Sequence, residues 1–240
     1  MLTKNRTLYA VLIDADNIPA KHAGPILKEI AKFGELALRR VYGDWSNEKL
    51  RAWAKTVREY GLVAHQETAN TKGKNASDIG LVIDAMDILH AGRFDGFVLV
   101  SSDSDFTALA NRIREQGLEV IGIGESKTPE SLRNVCNRFV LIENIIDETA
   151  PAAAGMQTKS NKLPARKAAP LIIEAMDKIE QEDEWYSLSA LGKLIMAANS
   201  DFDTRTYGYK NLSALVSSLN RFEIRKDGQT LYVRQISQAN

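Results

Sequence analysis

The sequence predicts a parallel, three-layer α/β sheet over residues 1–148 and a small winged helix-turn-helix unit over 164–240, with a linker at 149–163 between them. Three observations carry this expectation. Two apolar runs, Leu8-Tyr9-Ala10-Val11-Leu12-Ile13 and Phe97-Val98-Leu99-Val100, stop abruptly at Asp14-Ala15-Asp16-Asn17 and at Ser101-Ser102-Asp103-Ser104-Asp105. Apolar runs of this length read as strands buried on both faces, as in a parallel sheet. Around them, strand-like and helical segments alternate through short links, which calls for right-handed βαβ crossovers. Behind residue 164, three helical segments precede two alternating segments that flank Asp227-Gly228, a hairpin signal.

Taken in order, Asn17 is expected to cap a helix that opens near Pro19 and carries Ala23, Ile26, Leu27 and Ile30, with Gly34 at its end. A strand follows at 36–42. Ser46 is expected to cap a helix with Leu50, Trp53, Ala54 and Val57 on one face, closed by Gly61, before a third strand at 62–67. The polar, basic loop from Asn70 to Ala76 leads to Ser77, expected to cap a helix that packs Ile79, Val82, Ile83 and Met86. The 97–102 strand comes next. Phe106, Leu109, Ala110 and Ile113 then mark a helix that ends at Gly117. A strand at 118–123, a helix from Thr128-Pro129 through Cys136 and a last strand at 139–142 complete the unit.

Composition narrows the class. The chain has 240 residues, 44% of them hydrophobic, and no apolar stretch approaches the ~20 residues of a membrane span. Its start runs straight into the first strand with no signal peptide, and its single cysteine, Cys136, has no intrachain partner, so the cytoplasm is the expected compartment. The net charge is zero, but residues 1–150 sum to about −2 and residues 151–240 to about +2. A small basic surface beside an acidic pocket suits nucleic acid.

The acidic residues set the chemistry. With a strand order of 3-2-1-4-5, strands one and four are neighbours at the switch point, and Asp14 and Asp103 face each other beyond their carboxyl ends. Asp78 sits at the start of a helix, where the dipole favours an anion; its other reading is a place in the same cleft. Clustered carboxylates repel and raise one another's pKa, a cost that a bound divalent cation removes. Oxygen donors without a His or Cys cluster select Mg²⁺ or Mn²⁺, and His22, His65 and His90 are scattered. Such a site activates a water and steadies the leaving oxygen of a phosphodiester. Asp105 is a fourth acid or a helix cap. Asp16 holds a metal-bound water or the Asn17 turn, while Asp84 and Asp87 read as solvated. Ser101 and Ser102 orient carboxylates or bind a phosphate, and no histidine base attends a serine nucleophile.

Asp14-Ala15-Asp16-Asn17, Ser77-Asp78 and Ser101-Ser102-Asp103-Ser104-Asp105-Phe106 together resemble the NYN family, a branch of the PIN-like nucleases, over about residues 7–145. The resemblance implies a Rossmann-like sheet and a metal-dependent ribonuclease. Asp14, Asp78 and Asp103 become the acidic core around Mg²⁺ or Mn²⁺, Asp105 a further acid, and Asn17 a residue that orients Asp14 or substrate. RNA contacts are expected from Lys72 and Lys74 in the basic loop and from Ser102. Asp14-x-Asp16 after an apolar strand also matches the first motif of haloacid-dehalogenase-like phosphatases, in which the first Asp attacks phosphorus. That family expects Thr or Val where Asn17 stands.

In the second unit, Ile172, Ala175, Met176 and Ile179 give a helix, Ser187 caps another with Leu188, Leu191, Leu194 and Ile195, and Leu212, Leu215, Val216 and Leu219 give a third. The segment Phe202-Asp203-Thr204-Arg205-Thr206-Tyr207-Gly208-Tyr209-Lys210-Asn211-Leu212 resembles the OST-HTH/LOTUS family over about 164–234. That resemblance implies binding of single-stranded or structured RNA, or of a protein partner. Arg205, Tyr209 and Lys210 are the candidate RNA contacts, with charges for phosphates and rings for unpaired bases; Tyr207 and Tyr209 have the alternative role of packing the helix entry. Arg225, Lys226 and Arg234 on the wing are basic contacts or a solvated face. The combined expectation is an RNA endonuclease tethered to an RNA-binding module, and the competing one is an inactive RNA-binding scaffold.

Overall fold

A computed structural model describes residues 6–66, 76–149 and 162–236. The chain divides into two compact units, residues 1–151 and 152–240.

The first unit is built as six βα steps: β1 (Leu8–Asp14), α1 (Ala23–Ile30), β2 (Glu35–Gly43), α2 (Arg51–Tyr60), β3 (Val63–Gln66), α3 (Ala76–His90), β4 (Gly96–Val100), α4 (Thr107–Glu115), β5 (Glu119–Gly124), α5 (Glu130–Val135), β6 (Arg138–Leu141) and α6 (Ile142–Thr149). The strands form one parallel sheet in the order β3-β2-β1-β4-β5-β6. The expected order is extended by β6. Side chains alternate along each strand, so both faces of the sheet carry a core. Val11, Ile13, Val98 and Val100 pack toward Ile26, Ile30 and Trp53. Ala10, Leu12, Phe97 and Leu99 pack toward Leu81, Ala85, Leu109 and Ile113. β4 is buried at all five positions, as its apolar run demands.

The structure corrects several local expectations. Asn17 caps no helix: a 3-10 turn at Ala20–His22 precedes α1, its cap position is Pro19, and no side chain bonds there. Gly34 lies beyond the end of α1 at Ile30; a Cβ there would fall 2.4 Å from the Thr7 carbonyl oxygen and against the Tyr9 ring. The cap ahead of α2 is Asn47 rather than Ser46, accepting from the Lys49 amide. Gly61 does close α2, in the left-handed region at φ 61°. Ser77 lies inside α3, which starts at Ala76. The largest correction is the buried face of α3: Leu81, Ala85, Ile88 and Leu89 are buried, whereas Ile79 and Ile83 are 61% and 59% exposed. Apolar residues surround this helix, so helical spacing alone fits two stripes. The stripe that docks on β1 and β2 is the one led by Asp78, three residues before Leu81 and seven before Ala85.

The second unit contains α7 (Ala169–Asp177), β7 (Tyr186–Ser187), α8 (Leu188–Ala198), α9 (Leu212–Ser217), β8 (Phe222–Asp227) and β9 (Thr230–Gln235). Its core joins Ile172, Met176, Leu191, Ile195, Val216, Phe222 and Val233. Asn211 caps α9 by accepting from the Ala214 amide, and Gly228 turns the hairpin at φ 56°. The short strand β7 was not expected. It pairs antiparallel with β9 and completes a three-stranded sheet, β7-β9-β8. Among the described residues no helix is long and apolar enough to cross a membrane.

Candidate acidic site at the carboxyl edge of the sheet

Ile13 of β1 stands beside Val100 of β4 in parallel register, so both strands deliver their polar termini to one edge. Asp14 is the floor of the site, 1% exposed. Its Oδ1 accepts from the backbone amides of Asp16 (3.1 Å) and Asn17 (3.2 Å). Its Oδ2 accepts from the Asn17 side-chain amide and from the Ser101 hydroxyl, each at 2.7 Å. Four hydrogen bonds occupy both oxygens. Burial pushes the Asp14 carboxyl above its usual range, and the Ser101 and Asn17 donors pull against that. The sequence motif Asp-x-Asp-Asn is thereby a folded turn closed on its own first carboxylate, to which the Asn17 side chain donates.

Ser101 passes the order onward, accepting the Asp103 amide on its hydroxyl (3.1 Å). Asp103 caps the 3-10 turn at Ser104–Phe106 by accepting from the Asp105 amide at 2.9 Å. Asp105 is thus not the cap; its side chain is exposed. From the third direction, α3 brings Asp78 and Ser77, whose hydroxyl donates to Asp16 at 2.8 Å. Asp78 is half-buried, and its carboxyl is pushed up to about 6 by burial and by the negative charges of Asp14, Asp103, Asp16 and Asp105. Five carboxylates from three separate segments therefore share one electrostatic neighbourhood. Among the described residues, no three His, Cys, Asp or Glu side chains stand as a ready-made metal-binding group.

The remaining sequence candidates divide. Ser102 is buried and its hydroxyl accepts the Glu125 amide at 2.9 Å, which ties β4 to the turn after β5. Gly124 permits that closeness: a Cβ there would lie 2.7 Å from the Ser101 carbonyl oxygen. Lys72 and Lys74 lie outside the described residues. Asp84, expected to be solvated, bridges the Arg40 guanidinium and the Tyr42 hydroxyl on β2. Sequence reading missed this trio, although Leu38, Arg40 and Tyr42 share one face of β2 at the strand period and thus pointed at the helix layer. His65 stacks on Tyr42 with ring centroids 5.1 Å apart.

In the second unit, Arg205 turns onto Asp203 through paired contacts of 2.6–3.1 Å and is 15% exposed. Tyr207 packs on Phe202 with centroids 6.0 Å apart. In that segment Gly208, Lys210 and Asn211 are exposed, while Arg205, Tyr207 and Tyr209 are all partly buried. Pairing rather than exposure sets Arg205 and Tyr207 apart, on Asp203 and Phe202.

Comparison with known proteins follows the same division. A profile of the NYN domain matches residues 9–143, and one of the OST-HTH/LOTUS domain matches residues 159–233. No curated protein matches the chain. Among solved structures, a protein of unknown function from Vibrio parahaemolyticus is similar at 21% identity over 59% of this chain and 96% of that one, with a TM-score of 0.49. An uncharacterized protein from Nitrosomonas europaea is 26% identical over 38% of this chain and 89% of that one, with a TM-score of 0.29.

Proposed function

The chain belongs to the NYN domain family, and from that premise we propose that its first unit is a metal-dependent endoribonuclease whose substrate is held by the LOTUS unit behind it. The observation that supports this most is the Asp78 carboxyl, raised to about 6 among four other carboxylates. An arrangement that costs stability without a counter-charge is suited to a cation. The donors are oxygens only, which fits Mg²⁺ or Mn²⁺. Mg²⁺ is commonly held by one or two carboxylates and keeps several waters, so the lack of a ready-made three-residue group is no obstacle. Asp78 and Asp103 would be the direct ligands, with Asp16 and Asp105 facing its waters.

Such a cation, when bound, supplies a water of lowered pKa and stabilises charge on a phosphoryl oxygen. The chain's own work is positioning. Asp14, saturated by four donors, fixes the 14–17 turn and the Ser101 hydroxyl. Ser101 and the Asp105 amide fix the Asp103 backbone and carboxylate, and Ser77 fixes Asp16.

The test is cleavage of labelled RNA, single-stranded DNA and duplexes side by side with Mn²⁺ or EDTA. RNA should be cut internally with Mn²⁺ only, and Asp103→Asn should remove most turnover while the fold survives, because an amide is a poorer and uncharged ligand. Cleavage that ignores EDTA, or that survives Asp103→Asn, overturns the reading. The saturation of Asp14 favours one competitor, an RNA-binding scaffold without turnover; RNA bound but never cut under any divalent cation would establish that one instead.

A further inference from the structure

The outer face of the wing carries an aromatic and basic group that the acidic site does not use. β8 and β9 pair with Arg225 opposite Tyr232 and Glu223 opposite Arg234. Strand alternation sends Phe222 and Val233 into the core and these four residues to the other face. β7 pairs Tyr186 with Val233, which brings the preceding Trp185 alongside. The Arg225 guanidinium lies 4.4 Å from the Trp185 ring centroid and 5.9 Å from that of Tyr232, and the Arg234 guanidinium lies 4.8 Å from Trp185.

The charges on this face are unequal in their partners. Arg234 is neutralised by Glu223 at 2.8 Å, with Glu184 further off at 3.6 Å. Arg225 has no carboxylate partner among the described residues and is exposed. A purely structural clasp on Trp185 would be served by Arg234 alone. Arg225 adds a second cation, without a carboxylate partner among the described residues, within 6 Å of both an indole and a phenol ring.

We propose that this face binds unpaired RNA, with a base stacking on Tyr232 and with Arg225 meeting a phosphate. The inference rests on the reading that the LOTUS unit holds RNA, and it moves the contact away from Arg205 and Tyr207, which are tied to Asp203 and Phe202. Stacking on rings and guanidinium planes accepts any exposed base and rejects a closed duplex. An acidic peptide would need the Arg225 cation but not the phenol ring, so Tyr232 separates the two partners.

The experiment is fluorescence anisotropy of the full chain with a labelled, mixed-sequence single-stranded RNA in EDTA, over a range of salt. Arg225→Gln and Tyr232→Ser should each weaken binding about tenfold. Tyr232→Phe should bind like the parent, since the stacking face is kept. Arg225→Gln should also flatten the dependence of log affinity on log salt by roughly 0.7, the value of one phosphate contact on a single strand. Melting temperatures unchanged by all three substitutions would exclude a general loss of fold. Equal binding of the duplex and single strand, or unchanged affinity in both Arg225→Gln and Tyr232→Ser, overturns the proposal. If those two are neutral while Lys210→Ala weakens binding, the wing assignment fails and RNA binding by the LOTUS unit stands. If none of these substitutions alters RNA affinity, that broader reading fails with it.

Discussion

Asp78→Asn tests the electrostatics of the acidic site without any assay of turnover. In the cation-free protein the Asp78 carboxyl is raised from 3.8 to about 6. Well below pH 3.8 it is protonated whether the chain is folded or not, and it costs nothing. As pH rises from about 4 through 6, the unfolded chain ionises first, and the folded state loses stability until its own carboxyl ionises. A shift of this size corresponds to a ceiling of about 3 kcal/mol. Asp78 is only half-buried, and solvent screening reduces that to about 1 kcal/mol. Removing a charge from the first turn of α3 costs ~0.3–1 kcal/mol through the helix dipole. The two effects are similar in size, so a comparison at one pH decides nothing. The difference between variant and parent should instead move in favour of Asn by about 1 kcal/mol between pH 4 and pH 7.5. For a unit of this length that is roughly 2–4 °C in melting temperature. The two compact units need separate transitions; Trp53, buried in the first core at 1% exposure, reports on the relevant one. Adding Mg²⁺ or Mn²⁺ at pH 7.5 should stabilise the parent and leave Asp78→Asn nearly unmoved. A pH-independent difference, or one that moves against Asn, refutes the idea that Asp78 faces the other acids.

Ser101→Ala should cost about 2 kcal/mol, because a hydrogen bond to the buried Asp14 carboxylate is lost; denaturant unfolding would measure it, and a neutral result would show that Asp14 does not depend on this donor. Asp84→Asn should cost about 1–2 kcal/mol, since Arg40 and Tyr42 lose a partly buried acceptor. A double-mutant cycle with Arg40→Gln should return a coupling energy well above that of an exposed pair. Deleting residues 164–240 should weaken RNA affinity and its salt dependence while turnover at saturating RNA persists, because every proposed ligand lies before residue 110; cleavage rate against RNA concentration measures both, and an unchanged affinity would assign the second unit to a protein partner.

The parallel sheet was legible because its signal is local and strong. Apolar runs without alternation occur where both faces are covered, and the abrupt change to Asp14 and to Ser101-Ser102-Asp103 marks where each strand leaves the core. The turn residues Gly61 and Asp227-Gly228 were legible for a similar reason, since the left-handed region excludes most side chains. Capping was less so: Asn17, Ser46 and Asn47 are all competent caps by residue type, and only the path of the backbone selects Asn47 while Asn17 bends back onto Asp14.

The sequence by itself determined which chemistry is available: carboxylates at the ends of neighbouring buried strands, no histidine or cysteine cluster, and a small positive balance in the second unit, where Arg205, Tyr209 and Lys210 stand together. Tertiary structure decided which of those groups meet. α3 has two apolar stripes of helical spacing, and docking on β1 and β2 chose the one that begins with Asp78, so a choice of packing face is what brings that acid to Asp14 and Asp103. Arg205 and Arg225 are the same residue type in a similar composition, yet Asp203 folds back onto one and no carboxylate among the described residues reaches the other. For partners far apart along the chain, such as Arg40 and Asp84, the strand period gives only the face that Arg40 points to, not the acid that meets it. Burial and pairing are properties of the assembled layers, and a one-dimensional period carries only the half of that information that each element brings alone.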